Sequence, residues 1–452
     1  MAIVTLKPAP LIKSGELTRE FVEAYAVAQG DPEWLAARRL EALRVFRDTP
    51  APQRSDELWR RVDLSTFKLD QVIPAISVGV SFAPGAFDDL ANTLAESASN
   101  SPGWMLHVDG GHVQHSLASD LMAQGVIFTD LATAAREHAE VLEKYFMTES
   151  VKLTDSYFAA MHGIFARGGV VLIVPKGVTI QAPLRAVTRM TAGHRTEFHH
   201  TLIVLEEGAQ ATLVEDYAAL GDATAMQPQA LVNGAVEIIL GKDSKLDYVS
   251  IQDWARNVYN FTTERAHLGE GSTLHWVVGG MGSKFTKTLL EADMLGARST
   301  ALLSGVFFSD GKQQMHIDTQ QNHIAPGCKS DLLYKNALRD DSRTVWRGNI
   351  RVFPGAQKTD GYQANRNLQL SHRSRADSIP GLEIEADDVR CTHGSTVGQI
   401  EQEPMFYMAT RGVPEVDARR LVVEGFFAPV IDRIPLEETR DRLVEEISRK
   451  IG

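Results

Sequence analysis

The stretch EGSTLHWVV, residues 270–278, combines a turn, a small residue and a short apolar strand, and this order repeats through the middle of the chain. The turn and its small residue recur at residues 207–209, 242–244, 297–299, 340–342 and 354–356. The intervals between the small residues are 35, 28, 27 and 43 residues, counted over Ala209, Ser244, Ser272, Ser299 and Ser342. Near-regular turns of one kind are typical of stacked coils with two or three short strands each, so the pattern predicts a β-helix or related solenoid. A β-sandwich or a double-stranded barrel stays open as the alternative.

The segments between these turns are short and rich in β-branched or aromatic residues, which favours strands. They are Val170–Val174, Thr201–Leu205, Ala211–Val214, Val236–Leu240, Leu246–Ile251, Thr273–Val278 and Ala301–Phe308. The sequence therefore predicts a protein that is mainly β between its two ends.

Both ends carry apolar residues at the three-to-four spacing of amphipathic helices. The predicted helices cover residues 18–47, 55–61, 130–146, 405–411, 416–430 and 436–451. The first is interrupted at Pro32, which we expect to begin a second helix with Asp31 as its N-cap. We predict an N-terminal helical or mixed domain over 1–150, a β-helix core over 151–400 and a C-terminal helical domain over 401–452.

Composition narrows the class of protein. The chain has 452 residues, 44% of them hydrophobic, and a formal net charge of −12. This is enough apolar material for a large core, and the acidic balance argues against nucleic acid or an anionic membrane as a partner. No apolar run approaches the roughly eighteen residues of a membrane helix. The two cysteines, Cys328 and Cys391, cannot form a disulfide framework and favour a reducing compartment, so we expect a cytoplasmic protein.

A phosphate-binding loop is absent from the sequence. The nearest text, Gly305–Gln313, has one residue too many between its glycines and no hydroxyl after Lys312. The chain is therefore not predicted to hydrolyse nucleotides by itself.

A run of histidines raises the alternative of a cupin-like metal-dependent enzyme. Adjacent residues of a strand point to opposite faces, so His199 and His200 cannot easily share an ion. The spacing of a second cupin motif is not met either. The remaining candidate ligands of this kind are His194, Glu206, Glu207, His316 and His323.

Cys391-Thr392-His393 is a stronger metal-binding candidate. Residues i and i+2 of a strand share a face, and a thiolate with an imidazole suits Zn²⁺, Fe²⁺ or an iron–sulfur unit. Two ligands do not complete a tetrahedral site, so the others would come from another chain. Cys328 has no such companion and is expected to be a packed thiol.

From about residue 126 to 427 the sequence resembles the SufB/SufD family of iron–sulfur cluster assembly proteins. The resemblance rests on FAA (158–160), VPKGV (174–178), GNIRV (348–352), PGAQKTDGYQANR (354–366), IPGLEI (379–384), ADDVRCTHGSTVG (386–398) and FYM (406–408). SufB-type chains carry a cysteine near the position of Ile384, whereas Cys391 and His393 match the Cys-x-His of SufD-type chains. The SufD branch is therefore favoured.

The resemblance implies a right-handed parallel β-helix core flanked by helical domains. It also implies a non-catalytic scaffold that pairs with SufB through the β-helix cores and binds the ABC-type ATPase SufC through its C-terminal helices. Alone, such a chain could form a homodimer. Cys391 and His393 would face iron or a nascent cluster, held transiently at the SufB interface, and related complexes are associated with reduced flavin.

The C-terminal helix over 416–430 carries an apolar stripe that fits this implied docking role. Its members are Val416, Leu421, Val422, Phe426 and Val430. The alternative is that the stripe only covers the solenoid.

Overall fold

The computed structural model describes residues 17–72, 87–191, 196–220, 228–434 and 436–451. The helices are α1 Arg19–Gln29, α2 Glu33–Asp48, α3 Leu69–Val72, α4 Asp88–Ser97, α5 Ser119–Ala123, α6 Leu131–Glu137, α7 Ala139–Tyr145, α8 Tyr157–Phe165, α9 Gln402–Thr410, α10 Glu415–Ile431 and α11 Glu437–Ile451, with a 3₁₀ turn at Glu57–Trp59. The first ten strands are β1 Gly103–Val108, β2 Gly111–Leu117, β3 Ile127–Asp130, β4 Val170–Val174, β5 Leu184–Met190, β6 Thr196–Glu197, β7 His200–Leu205, β8 Gln210–Ala219, β9 Ala230–Leu240 and β10 Lys245–Asp253. The others are β11 Val258–Leu268, β12 Thr273–Gly280, β13 Phe285–Met294, β14 Thr300–Ser309, β15 Gln314–His323, β16 Lys329–Leu338, β17 Arg343–Val352, β18 Thr359–Gln369, β19 Arg375–Ile384 and β20 Val389–Gln399.

The strands from β7 onwards alternate between two parallel sheets, so the chain winds as a solenoid. One sheet has the order β2-β1-β5-β8-β10-β12-β14-β16-β18-β20, and the other runs β19-β17-β15-β13-β11-β9-β7-β4-β3. Each begins with an antiparallel pair, β1 with β2 and β3 with β4, and continues in parallel register. The predicted mainly-β solenoid with helical ends is confirmed.

The repeated turn forms one corner of every coil. The small residues of this corner are fully or almost fully buried and stack on one another, in the order Ala209, Ser244, Ser272, Ser299, Cys328 and Thr359. Each serine hydroxyl donates to the carbonyl oxygen three residues earlier at 2.8 Å. The residue before each small one has a positive φ, from 54° at Asp243 to 72° at Gly327, which turns the chain sharply into the next strand.

The irregular interval of 43 residues in the sequence pattern has a structural cause. Ser342 belongs to a different corner, where its hydroxyl donates to the carbonyl oxygen of Ser309 at 3.1 Å. Cys328 is the missing member of the first corner, and its thiol donates to the carbonyl of Ala325 at 3.1 Å. With Cys328 and Thr359 included, the coils repeat every 27 to 35 residues, counted over Ala209, Ser244, Ser272, Ser299, Cys328 and Thr359.

Apolar side chains fill the solenoid, and helices cover its outer faces. Tyr248, Trp276 and Trp346 lie in the interior. The N-terminal helices pack on the second sheet, where Phe158 of α8 stacks on Phe261 with ring centroids 3.8 Å apart. Helices α10 and α11 pack on the first sheet, through Phe427 among others. No helix within the described ranges is long and apolar enough to cross a membrane.

Three local predictions were wrong. The short helix expected over 55–61 is only a 3₁₀ turn at Glu57–Trp59. The helix expected over 130–146 is two helices, because the backbone leaves the helical conformation at His138, with φ −133° and ψ 40°. Pro32 is itself the N-cap residue of α2 rather than its first helical residue. The Asp31 carboxylate is not a cap, since it accepts from Arg39 at 2.6 Å.

A buried series of hydrogen bonds joins helix α8 to the solenoid strands. Nδ1 of His162 lies 2.9 Å from the carbonyl oxygen of Asn233, and its Nε2 lies 3.1 Å from Nδ1 of His200. Nε2 of His200 lies 3.2 Å from Glu237, although without the alignment of a full hydrogen bond. Glu237 also accepts from the backbone N–H groups of Met147 and Val151.

The carbonyl oxygen of Asn233 determines which ring nitrogens of His162 and His200 carry hydrogen. It can only accept, so Nδ1 of His162 carries the hydrogen and its Nε2 accepts from His200. Nε2 of a neutral His200 then carries a lone pair 3.2 Å from Glu237, which favours the protonated form of that carboxyl group. Burial favours the same neutral forms, because it lowers the pKa of both histidines to about 3 and raises the pKa of Glu237 to about 8.

Replacing Glu237 with Gln should lower the free energy of unfolding by about 1–2 kcal/mol near pH 6, because the amide can donate to His200 and accept from one of the two backbone N–H groups, whereas its NH2 group cannot accept from the other. Glu237→Ala leaves two buried N–H groups without acceptors and should lower the free energy of unfolding by about 2–4 kcal/mol.

Glu237 itself should contribute a loss of stability as pH rises between 4.5 and about 8, because the unfolded chain releases the Glu237 proton that the folded chain keeps. The buried neutral histidines act in the opposite direction up to about pH 6.5, so the effect is measured as the free energy of unfolding of the wild-type chain minus that of the Gln variant, which should fall over this range. Urea unfolding of all three chains at two pH values measures both effects, and equal damage from Gln and Ala near pH 6 would mean that Glu237 is ionised.

Candidate functional site

The C-terminal end of the solenoid is open. Within the described residues, no strand pairs with the outer edge of β19 or β20. The side chains that would face a further coil are instead exposed, and two of them, Ile384 and Val397, are large and apolar. Val397 is 47% exposed. Unpaired parallel edges with exposed apolar side chains are typical of a surface that another chain covers.

Cys391 and His393 lie on this last coil and share its inward face. Cys391 is half-buried beside Ile350 and Val352, and burial raises the pKa of its thiol. His393 pairs in register with Gln363, whose amide reaches across the interior and donates to the carbonyl of Gly381 at 2.9 Å. His393 is exposed because no coil follows it in the part of the chain that the structure describes.

Two residues lie beneath this pair: Gly361, which the sequence reasoning missed as a site residue, and His323, which it considered only as a ligand of a cupin-like site. A Cβ on Gly361 would lie 3.3 Å from Sγ of Cys391 and 3.4 Å from Nε2 of His323, so the glycine keeps the cysteine and the histidine close together. His323 is fully buried, burial lowers its pKa to about 4, and its Nε2 lies 2.8 Å from the Ser330 hydroxyl. A glycine inside a strand often marks such a close approach, which is the signal that could have identified the site.

The donor set at the open end suits iron or zinc but is incomplete. A thiolate and an imidazole are ligands for Zn²⁺, Fe²⁺ and iron–sulfur units. In the part of the chain that the structure describes, no three His, Cys, Asp or Glu side chains are arranged to hold one metal ion. Cys391 and His393 can therefore supply only part of a coordination sphere.

The histidines considered for a cupin-like site are dispersed. His199 packs against Tyr217 inside the solenoid, with ring centroids 4.6 Å apart, whereas His200 faces the opposite side and joins the series of hydrogen bonds with His162. Glu206 and Glu207 both engage Lys176, and His316 packs beside Phe285. His194 lies outside the described residues. The described ligands of the cupin-like alternative thus do not come together.

The apolar stripe of α10 divides between two faces. Val430 is buried against the solenoid, and Phe426 is partly buried with Lys335 over its ring at 4.7 Å. Val422 is half-buried, whereas Val416 is 57% and Leu421 50% exposed.

Helix α9 extends the exposed half of this stripe. None of its residues is buried, and Phe406 is 72% exposed. A groove of about 690 Å³ lies between α9 and α10 and is lined by Met405, Phe406, Val413 and Ala418, among others.

Comparison with known proteins places these features in a family. Residues 188–426 match the family model described as the SufBD core domain of SUF-system FeS cluster assembly, and residues 19–186 match the SufBD N-terminal region. The chain is 29% identical over 440 residues to the iron-sulfur cluster assembly protein SufD of Bacillus subtilis, which covers 96% of this chain and 98% of that protein. It is 30% identical over 452 residues to a SufBD family protein of Staphylococcus haemolyticus, covering 96% and 94% of the two chains. The resemblance identified in the sequence is confirmed, and the chain belongs to the SufBD family of iron–sulfur cluster assembly proteins.

Proposed function

We propose that this chain is the SufD-type, non-catalytic scaffold subunit of a Suf complex. It pairs through its open solenoid end with a SufB subunit and binds the SufC ATPase through α9 and α10. The observation that carries the proposal is the open last coil, which presents Cys391 and His393 beside unpaired strand edges.

The open end favours a partner with the same architecture. The free edges of β19 and β20 can be satisfied by two further strands in matching positions, and a second solenoid end offers such a pair. Ile384 and Val397 would be buried in that contact. Without SufB, a second copy of this chain is the available partner, which supports a homodimer.

Val397→Asp should weaken SufB binding by roughly 2 kcal/mol or more, about thirtyfold in Kd, because it places a carboxylate in an apolar contact. The matched control is Thr396→Asp, which lies on the outward face of the same strand. Titration of the purified chains with SufB measures the affinities of both variants. Light scattering measures whether each chain forms a homodimer in the absence of SufB. Equal binding by the two variants would contradict pairing through the inward face.

Cys391 and His393 are proposed to contact iron or a nascent cluster as cargo, with SufB supplying the remaining ligands. The pair is half-exposed on the face that the partner covers, and its donor atoms suit iron. His393 is the stronger candidate, since it is exposed while Cys391 is partly packed.

His393→Ala should leave folding and the SufB contact intact but strongly reduce cluster formation, and Cys391→Ala should give a milder loss. Thr392→Ala is the control, because Thr392 points to the other face. Iron and acid-labile sulfide content of the purified complex measures cluster formation. Wild-type content in His393→Ala would remove the iron-contacting role, whereas loss of the complex would make His393 only an interface residue.

The exposed half of the α10 stripe supports the proposed contact with SufC. Phe406 lines the groove between α9 and α10, and Val416 and Leu421 are exposed on α10 without a covering element in the described chain. The opposite face, with Val430, anchors the helix on the solenoid. This division leaves one face for structure and one for a partner.

Phe406→Ala and Leu421→Asp should each weaken SufC binding by about 2 kcal/mol, the loss expected when an interface anchor is removed. Val27→Asp on α1 is the matched control, since Val27 is 82% exposed and far along the chain from α10. Val430→Ala should lower thermal stability instead. Calorimetric titration with purified SufC separates these effects, and undiminished binding by both test variants would refute docking at this surface.

A further inference from the structure

A β-bulge in the hairpin of β1 and β2 gathers three histidines on one face. Leu106 pairs with Gln114 and His107 pairs with His112, so Val113 is an extra, unpaired residue. In a regular strand, residues three apart point to opposite faces. The extra residue brings His115 onto the face of His112, and Nε2 of His112 lies 3.0 Å from Nδ1 of His115.

The ring positions match those of imidazoles around one ion. At a tetrahedral site with metal–nitrogen distances near 2.05 Å, two imidazole centroids are about 5 Å apart. The centroids of His112 and His115 are 5.0 Å apart, and those of His107 and His112 are 5.7 Å apart.

His107 is the most unusual member of the cluster. It is 1% exposed, and both of its ring nitrogens are buried without a hydrogen-bond partner among the described residues. A buried polar group of this kind is destabilising unless something satisfies it. Burial lowers the pKa of His107 to about 3, so the ring is neutral and keeps a free lone pair. The carboxylate of Asp130, at the end of β3, adds a negative charge that acts on both His107 and His112.

We propose that this hairpin binds one divalent first-row transition-metal ion through His112 and His115, with His107 as the third nitrogen donor. Three neutral imidazoles favour zinc, copper, nickel or iron over magnesium or calcium. His112 and His115 are exposed, which gives the ion a path from solvent. The three donors do not yet surround a common point, so binding requires the buried ring of His107 to turn toward the other two. The site lies on the strands that begin the solenoid and is independent of the function proposed above.

The test uses the full chain with the substitutions Cys391→Ala and His393→Ala. These substitutions remove the metal-binding donors at the open end. Calorimetric titration with Zn²⁺ should show one ion per chain, and Cu²⁺ should give an electron paramagnetic resonance spectrum with nitrogen coupling from more than one imidazole. His112→Gln and His115→Gln should each weaken Zn²⁺ binding at least about tenfold, the loss that even an outer-shell substitution causes. Asp130→Asn, which can still cap α6, should weaken binding less.

His372→Gln is the matched control, because His372 is an exposed histidine away from the hairpin and should leave Zn²⁺ affinity unchanged. The test does not depend on the buried His107, whose replacement could unfold the hairpin, since His112 and His115 are on the surface. Absence of a Zn²⁺ site in the starting chain, or unchanged affinity in both His112→Gln and His115→Gln, would overturn the proposal.

Discussion

The stacking of one coil directly on the next is the constraint on which the rest of the structure depends. In-register parallel pairing requires successive coils to turn at the same place, which explains why the corner formed by Ala209, Ser244, Ser272, Ser299, Cys328 and Thr359 carries a small buried residue after one with positive φ. The edge strands of such a stack expose unpaired backbone groups, which a further strand pairs and a helix or loop can cover. At the start, the antiparallel strands β2 and β3 end the two sheets. At the other end nothing follows β19 and β20 within the described chain, so the exposed last coil is a direct consequence of the stacking.

The flanking helices add to the difference between the two ends of the solenoid, because they cover its sides and leave its last coil uncovered. The N-terminal helices lie on the second sheet and α10 and α11 on the first. Lys450, near the end of α11, is buried and donates to the carbonyl oxygens of Met281 and Phe308 at 2.6 and 2.8 Å. This fixes α11 beside the middle coils, and burial lowers the pKa of the lysine to about 8. The helices therefore stabilise the stack without competing for its open end.

The sequence was informative wherever local chemistry decides the structure and uninformative wherever distant residues meet. Strands with β-branched runs, such as β4, were predicted with their observed bounds. Strands such as β15 and β18 were missed because they carry mainly polar residues, which the solenoid buries among its own hydrogen bonds. Alternation along a strand was enough to put Cys391 and His393 on one face. Gly361 signals a close approach inside its strand, but the identity of the approaching side chain, His323, depends on which strands stack, and the pairing of His112 with His115 depends on a bulge.

The two proposed partner surfaces are joined by a rigid path. Helix α10 is anchored on β16, where the Lys335 ammonium donates to the carbonyl of Phe426 and the helix end is held by Arg433 paired with Asp331 at 3.2 Å. Strand β16 pairs with β18, and β18 pairs with β20, which carries Cys391 and His393. Unbroken backbone hydrogen bonds therefore connect the strand under α10 to the strand that carries Cys391 and His393. Because packed strands in register resist local rearrangement, the position of α10 and that of the open end are fixed relative to each other by the same stack.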